Sequence, residues 1–170
     1  KFIGKLLTGI MKQTIKDVEI IIVDSGSTDA TLSVASQFPV KTLSIQSEDF
    51  SFGRALNIGC RAASNEVIVF ASAHVYPIYN DWLELMINPF QKNEVGLVYG
   101  KQRGNNLTKY SELQVFKKWF PNSNQSSENN LFCNNANAAI RKSIWDKVNY
   151  DEELTGLEDL DWAKKISKKG

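Results

Sequence analysis

The stretch that decides the fold is Val18-Glu-Ile-Ile-Ile-Val-Asp24-Ser25-Gly26-Ser-Thr-Asp29-Ala-Thr31. Val18, Ile20, Ile21, Ile22 and Val23 form a short, mostly β-branched run with Glu19 as its one polar member. Such a run, bounded by turn residues, suits a strand buried on both faces of a parallel sheet. It stops abruptly at Asp24-Ser25-Gly26-Ser27-Thr28-Asp29. Gly26 permits a backbone angle other residues resist, and Ser27 or Thr28 is suited to cap a helix starting near Asp29. A buried strand, a polar turn and a helix make half of a βαβ unit. In open α/β sheets ligands collect at the carboxyl ends of such strands. Asp24 and Ser25 sit there, with acceptors for a ribose hydroxyl or a base N–H. Taken alone they serve equally well as turn residues.

Outward from this point the chain alternates strands and helices. On the N-terminal side, Phe2, Ile3, Leu6, Leu7, Ile10, Met11 and Ile15 recur at helical spacing, which predicts an amphipathic helix over residues 1 to 13. A βαβ arrangement wants a strand before that helix, and the sequence has none there. On the other side, Thr31–Gln37 continues the helix and Val40–Ile45 alternates like a half-exposed strand. Phe52–Ala63 reads as a helix carrying Arg54, Asn57 and Arg61. Glu66–Ala71 is a second buried strand, running into Ser72-Ala73-His74-Val75-Tyr76-Pro77. Asn80 or Asp81 is placed to cap a helix through Met86, and Val95–Tyr99 is a further strand. Residues 109–120 are helical in pattern, Pro121–Asn130 is a polar loop, and Leu131–Ile140 reads as irregular and asparagine-rich. Ser143–Val148 and Asp159–Lys169 are short helices. The expectation is one α/β domain over residues 1–170, a mostly parallel sheet flanked by helices.

Composition narrows the classes. The 170 residues fit one domain, and a net charge of +1 gives no basic face for nucleic acid. Two cysteines, Cys60 and Cys133, with no paired spacing, exclude a zinc ribbon or disulfide scaffold and suit a reducing, cytoplasmic setting. No apolar run has the length of a membrane span. No glycine-rich dinucleotide or P-loop signature follows a strand. Asp151-Glu-Glu-Leu-Thr-Gly156 begins like a calcium loop, but the required twelfth-position glutamate is Trp162.

Three polar clusters remain: Asp24-Ser25, Ser72–His74 and Glu158-Asp159. With Arg54-Ala-Leu-Asn57-Ile-Gly59, Val67–Pro77 and Gly156-Leu-Glu-Asp-Leu-Asp-Trp162, their order resembles the family 2 glycosyltransferases of the GT-A type. The resemblance implies a single Rossmann-like nucleotide-sugar-binding domain, here without the family's first strand and a C-terminal part. It implies an inverting transfer from a nucleoside-diphosphate sugar to an acceptor hydroxyl, in cell-surface polysaccharide synthesis. Asp24 and Ser25 would then touch the base or ribose, and the turn after Val67–Ala71 would hold the diphosphate through a divalent metal. Asp159 would be the general base, with Glu158 beside it. The acceptor would be a saccharide or lipid-linked saccharide, with peripheral association at the inner membrane face.

The chemistry asks for the same parts. A departing diphosphate needs a metal or cation, and the incoming hydroxyl needs a carboxylate to take its proton. A carboxylate pair at a helix N-terminus also has an ordinary explanation, since the helix dipole favours acids there. The family's metal-binding Asp-x-Asp reads Ser72-Ala73-His74, without a carboxylate. His74 is the candidate ligand for manganese or magnesium, and imidazole suits manganese or zinc better than magnesium. The competing role is direct donation from His74 to the diphosphate. Ser72 and Arg54 are further donor-site candidates, and Trp162 is a candidate platform for the acceptor sugar. Lys164, Lys165, Lys168 and Lys169 are candidates for an anionic membrane surface, or a solvated helix face. Two readings of other classes stay open: a non-catalytic nucleotide-sugar-binding domain, and a nucleotidyltransferase on a similar sheet.

Overall fold

The computed structural model describes residues 2–105, 108–120 and 132–168. The polar stretch Pro121–Asn130 and Lys169 lie outside them. Helix α1 (Ile3–Met11) turns Ile3, Leu6 and Leu7 inward, each worth about 1.5–3 kcal/mol of burial. Gly9 lets Pro77 approach, since a Cβ there would come within 2.8 Å of the ring. Strand β1 (Ile21–Asp24) follows, then α2 (Thr31–Ala35) and β2 (Lys41–Ser44). β1 and β2 pair in parallel, Ile21 opposite Lys41 and Asp24 opposite Ser44, which makes the predicted β-α-β crossover. The predicted cap does not form. α2 starts at Thr31 after Ala30, and Asp29 Oδ1 accepts from the Thr31 N–H at 2.9 Å. Nor does the side chain of Asp81 cap the helix that follows it.

Helix α3 (Phe52–Ala62) is capped by Ser51, whose hydroxyl oxygen accepts from the Arg54 N–H. β3 (Val67–Ala71), α4 (Trp82–Ile87), β4 (Leu97–Tyr99), α5 (Tyr110–Trp119), β5 (Asn137–Arg141), α6 (Lys142–Trp145) and α7 (Glu158–Ser167) complete the described chain. The second sheet has the order β3-β5-β4, with β5 antiparallel to both neighbours. A mostly parallel sheet is therefore corrected: one sheet is parallel and two-stranded, the other antiparallel and three-stranded. The segment read as irregular, Leu131–Ile140, supplies β5, the central strand of that second sheet. Its Ala138, Ala139 and Ile140 are fully buried, but two alanines among asparagines carry little β signal. Cys60, Ile140, Trp145, Tyr150 and Trp162 form the main core. A second core joins α1 and α2 over β1.

Candidate functional site

Three chain turns bring the polar clusters to the structure. At the end of β1, Asp24 is buried and its Oδ2 accepts from the N–H groups of Gly26 and Ser27, each at 3.0 Å. Burial works against its charge, but the hydrogen bonds from Ser27 and Gly26 outweigh it and hold the carboxyl below its ordinary value. Gly26 has φ +93°, and a Cβ there would meet the Ser47 hydroxyl at 2.7 Å. Ser47 Oγ donates to the Ser25 carbonyl at 3.3 Å, tying the segment after β2 to this turn. The Ser25 residue itself is exposed.

At the end of β3, the Ser72 N–H donates to the Ala136 carbonyl at 3.3 Å, and the Val75 N–H closes the turn onto Ser72 at 3.0 Å. Ser72 is half-buried, while Ala73 and His74 are exposed. At the start of α7, Leu157 has φ 62°, the one non-glycine in the left-handed region among the described residues. That conformation costs about 1–2 kcal/mol and turns the chain into Glu158 and Asp159. Glu158 is 8% exposed. Burial pushes its carboxyl up, and the adjacent Asp159 charge adds to the rise against the pull of its own backbone N–H. Asp159 Oδ1 accepts from the Leu160 N–H at 2.8 Å and Oδ2 from the Asn135 N–H at 3.4 Å.

One cavity of about 480 Å³ gathers Ser72, Asn134, Asn135, Glu158 and Asp159, with Phe52 of α3 also on its wall. Asp24 directly follows Val23, another lining residue, while Asp24, Ser25, Arg54 and His74 do not themselves line it. Among the described residues no three His, Cys, Asp or Glu side chains group to hold a metal. The donor set fits a divalent ion only where phosphate oxygens and water supply most of its shell.

Two sequence candidates have other employment. Arg54 was expected at the diphosphate, but its Nε donates to Glu152 Oε2 at 3.0 Å and its Nη1 to the Asp49 carbonyl at 2.7 Å. Trp162 was expected under an acceptor sugar, but it is 0% exposed, stacked on Tyr150 with centroids 5.1 Å apart. Its indole N–H donates to the Val148 carbonyl at 2.6 Å. With both faces sealed in the core, Trp162 offers no sugar a platform. Of the terminal lysines, Lys165 pairs with Asp161 at 2.7 Å and Asp151 at 3.3 Å, while Lys164 and Lys168 are exposed.

The supporting residues were less visible in the sequence. Asn57 is 1% exposed. Its Oδ1 accepts from the Trp145 indole at 2.9 Å and the Tyr150 N–H at 3.0 Å. Its Nδ2 donates to the Tyr150 carbonyl and to Glu152 Oε1, both at 2.9 Å. The Asn57 bond, ahead of opposing burial and of the bond from Arg54, leaves the Glu152 carboxyl below its ordinary value. A signal for Asn57 existed: it shares the buried stripe of Gly53 and Cys60 at positions i, i+4 and i+7. Asn135 carried no such signal, because its contribution to Asp159 is a backbone N–H.

The architecture is that of the GT-A glycosyltransferase fold, and solved structures match it. A mannosyltransferase of Pyrobaculum calidifontis, solved with GDP-Man and Mn2+, superposes with a TM-score of 0.75 at 20% identity, over 97% of this chain and 48% of that one. TarS 1-349 of S. aureus gives 0.74 at 18% identity, over 98% and 51%. The sequence profile of Glycosyl transferase family 2 matches residues 1–148, and the chain belongs to that family. The O-antigen chain rhamnosyltransferase RfbN of Salmonella typhimurium is 26% identical over 97% of this chain and 56% of its own length. WbaN of Salmonella anatum, also described as an O-antigen chain rhamnosyltransferase, is 26% identical over 94% and 54%. The chain spans about half the length of these relatives.

Proposed function

We propose that this domain transfers a sugar from a nucleoside diphosphate to an acceptor hydroxyl, with inversion at the anomeric carbon. The observation that carries the reading is the single cavity in which Ser72, at the end of β3, meets Glu158 and Asp159 at the start of α7. Asp159 takes the proton of the acceptor hydroxyl as its oxygen bonds to the anomeric carbon. The bond to the diphosphate oxygen breaks on the opposite face, and its electron pair leaves with the diphosphate. One base and one displacement give inversion. The Asn135 N–H orients Asp159. Glu158, buried and raised, keeps a second carboxyl next to the base.

Asp24 and Ser25 bind the base or ribose from the neighbouring turn, and Ser72 the diphosphate. His74 would hold a divalent cation through its imidazole, manganese in preference to magnesium, and that ion would supply positive charge for the departing diphosphate. The Mn2+ that accompanies GDP-Man in the Pyrobaculum mannosyltransferase supports this part. The acceptor is a saccharide or lipid-linked saccharide of a cell-surface polysaccharide, assembled at the cytoplasmic face of a membrane. The descriptions of RfbN and WbaN as O-antigen chain rhamnosyltransferases support the polysaccharide part of that setting. No described helix is long and apolar enough to cross a membrane.

Calorimetric titration of UDP and GDP, with manganese and with excess chelator, tests the reading. Binding of one of them, weakened by Asp24→Ala in a folded protein, is expected. If neither binds in either condition, the donor site is not where we put it.

A further inference from the structure

Helices α1, α3 and α7 bury three residues each, whereas α5 (Tyr110–Trp119), ten residues long, buries none. Leu113 and Phe116 are half-buried and mark its inner side. Tyr110, Val115 and Trp119 are exposed by 77%, 51% and 44%. Val115 and Trp119 stand one turn apart on the same side, and Tyr110 lies about 13 Å from Trp119 along the axis. A helix this short is marginal without tertiary contacts, so a cover on its outer side would stabilise it.

Charge says what the cover is. Lys109 precedes the first turn of α5, Lys117 and Lys118 sit in the last, and Lys101 and Arg103 lie just upstream. Across residues 95–127 Glu112 is the one acidic residue, and its carboxylate accepts from the Lys109 N–H at 3.3 Å. A chain of net charge +1 thus sets five bases against one acid in this stretch. Tyrosine and tryptophan at the two ends of an exposed helix, an aliphatic residue between them and lysines beside them are what a lipid interface selects. The rings sit at headgroup level, while lysine stems lie along apolar surface and send their ammonium groups to phosphates. The Lys118 Nζ already lies over the Trp119 ring, 5.2 Å from its centroid. On α7, by contrast, Lys165 is held between Asp151 and Asp161.

We propose that α5 docks on an anionic lipid surface, with Tyr110, Val115 and Trp119 entering the headgroup layer and Lys109, Lys117 and Lys118 meeting lipid phosphates. The helix ends close to Asp159. The Trp119 indole stacks on Phe132, with centroids 4.9 Å and planes 10° apart, and Tyr99 and Phe120 meet Phe132 edge-on at 5.3 and 5.6 Å. Three residues beyond Phe132, the Asn135 N–H donates to Asp159 Oδ2. Three residues span at most about 10 Å. The docked helix therefore presents Asp159 to an acceptor whose lipid stays in the bilayer, a part that rests on the proposed transfer.

The test is flotation of the 170-residue protein with two kinds of vesicle. One is phosphatidylcholine alone, the other phosphatidylcholine and phosphatidylglycerol in equal parts. Binding to the anionic vesicles, released by salt, is expected, with little binding to the neutral ones. Lys117→Glu with Lys118→Glu should weaken it on the order of 30-fold, and Tyr110→Ser with Val115→Ser on the order of tenfold. These side chains are exposed, so the melting temperature should hold in both variants. Lipids brominated on their acyl chains should quench tryptophan fluorescence, and Trp119→Phe should remove most of that quenching.

Ile78 and Tyr79, each 70% exposed just before α4, supply the control. α4 packs on the face of the second sheet that carries Ala139, whereas Tyr99 belongs to the face that carries Ala138. Ile78→Ser with Tyr79→Ser should leave vesicle binding unchanged; a loss equal to that of the α5 variants would overturn the assignment to α5. Absence of binding, equal binding to neutral vesicles, or quenching that survives Trp119→Phe would overturn it too. Self-association lost in the α5 variants, without vesicle binding, would give the surface to a second copy instead. Nucleoside diphosphate affinity is a separate measurement on the same protein. Vesicle binding without nucleotide binding would retain the docking helix and remove the donor site.

Discussion

At the residue scale, Glu158 and Asp159 stand side by side in the chain and in opposite circumstances. Asp159 is half-buried and accepts from two backbone N–H groups, so it is oriented while still reachable from the cavity. Replacing it with asparagine keeps the shape and removes the proton acceptor. In an assay of the proposed transfer, Asp159→Asn is expected to cut turnover on the order of 10²–10⁴-fold with donor affinity kept; near-parental turnover would move the base to Glu158 or Asp161. Glu158 is nearly enclosed, and its raised carboxyl makes a pH prediction. Its contribution to stability is fully present below the unfolded glutamate pKa of about 4.3 and is lost as pH rises through the higher folded value. Glu158→Gln should therefore stabilise the fold at pH ~7 and lose that advantage at pH ~4, read from urea midpoints. An equal shift at both pH values would show that packing, not charge, sets the difference.

At the scale of elements, the first turn of α3 is docked on the segment that leads to α7. Gly53 is the contact: a Cβ there would sit 2.0 Å from the Asp151 carbonyl oxygen. Backbone cannot yield as a flexible side chain can, so α3 must shift. Gly53→Ala should cost about 1–3 kcal/mol in chemical denaturation. Gly156, four residues before Leu160 in the approach to α7, has open space within 4 Å of the same hypothetical carbon. Gly156→Ala should be neutral or slightly stabilising. Equal effects at the two positions would mean that the contact with Asp151 does not govern Gly53, since helix propensity alone favours alanine there. Because Asn57 and Glu152 brace the same segment, Gly53→Ala should also disturb the seat of Asp159.

At the scale of the whole molecule, the turns of β1 and β3 and the start of α7 put the proposed donor and acceptor groups on separate pieces of chain. A cation at His74 would have one protein ligand and depend on the nucleotide for the rest. Manganese should bind measurably only when a nucleoside diphosphate is present, a coupling that calorimetry reads in either order of addition. His74→Ala should abolish the coupling and His74→Asp restore part of it. Equal nucleotide affinity in chelator and in manganese would leave His74 as a direct hydrogen-bond donor.

Local chemistry made much of this legible. The β-branched run before Asp24, the helical spacing of Ile3, Leu6 and Leu7, and the order of the three polar clusters carried the α/β class and the family, because each is a pattern of neighbours along the chain. What the chain order could not contain was decided in space. β5 runs antiparallel in the middle of the second sheet, paired with β3 on one side and β4 on the other, and its small residues announce no strand. Arg54 and Trp162 looked available by position, but a guanidinium turns to the carboxylate it meets, here Glu152 from 98 residues away, and an indole goes where its faces are covered.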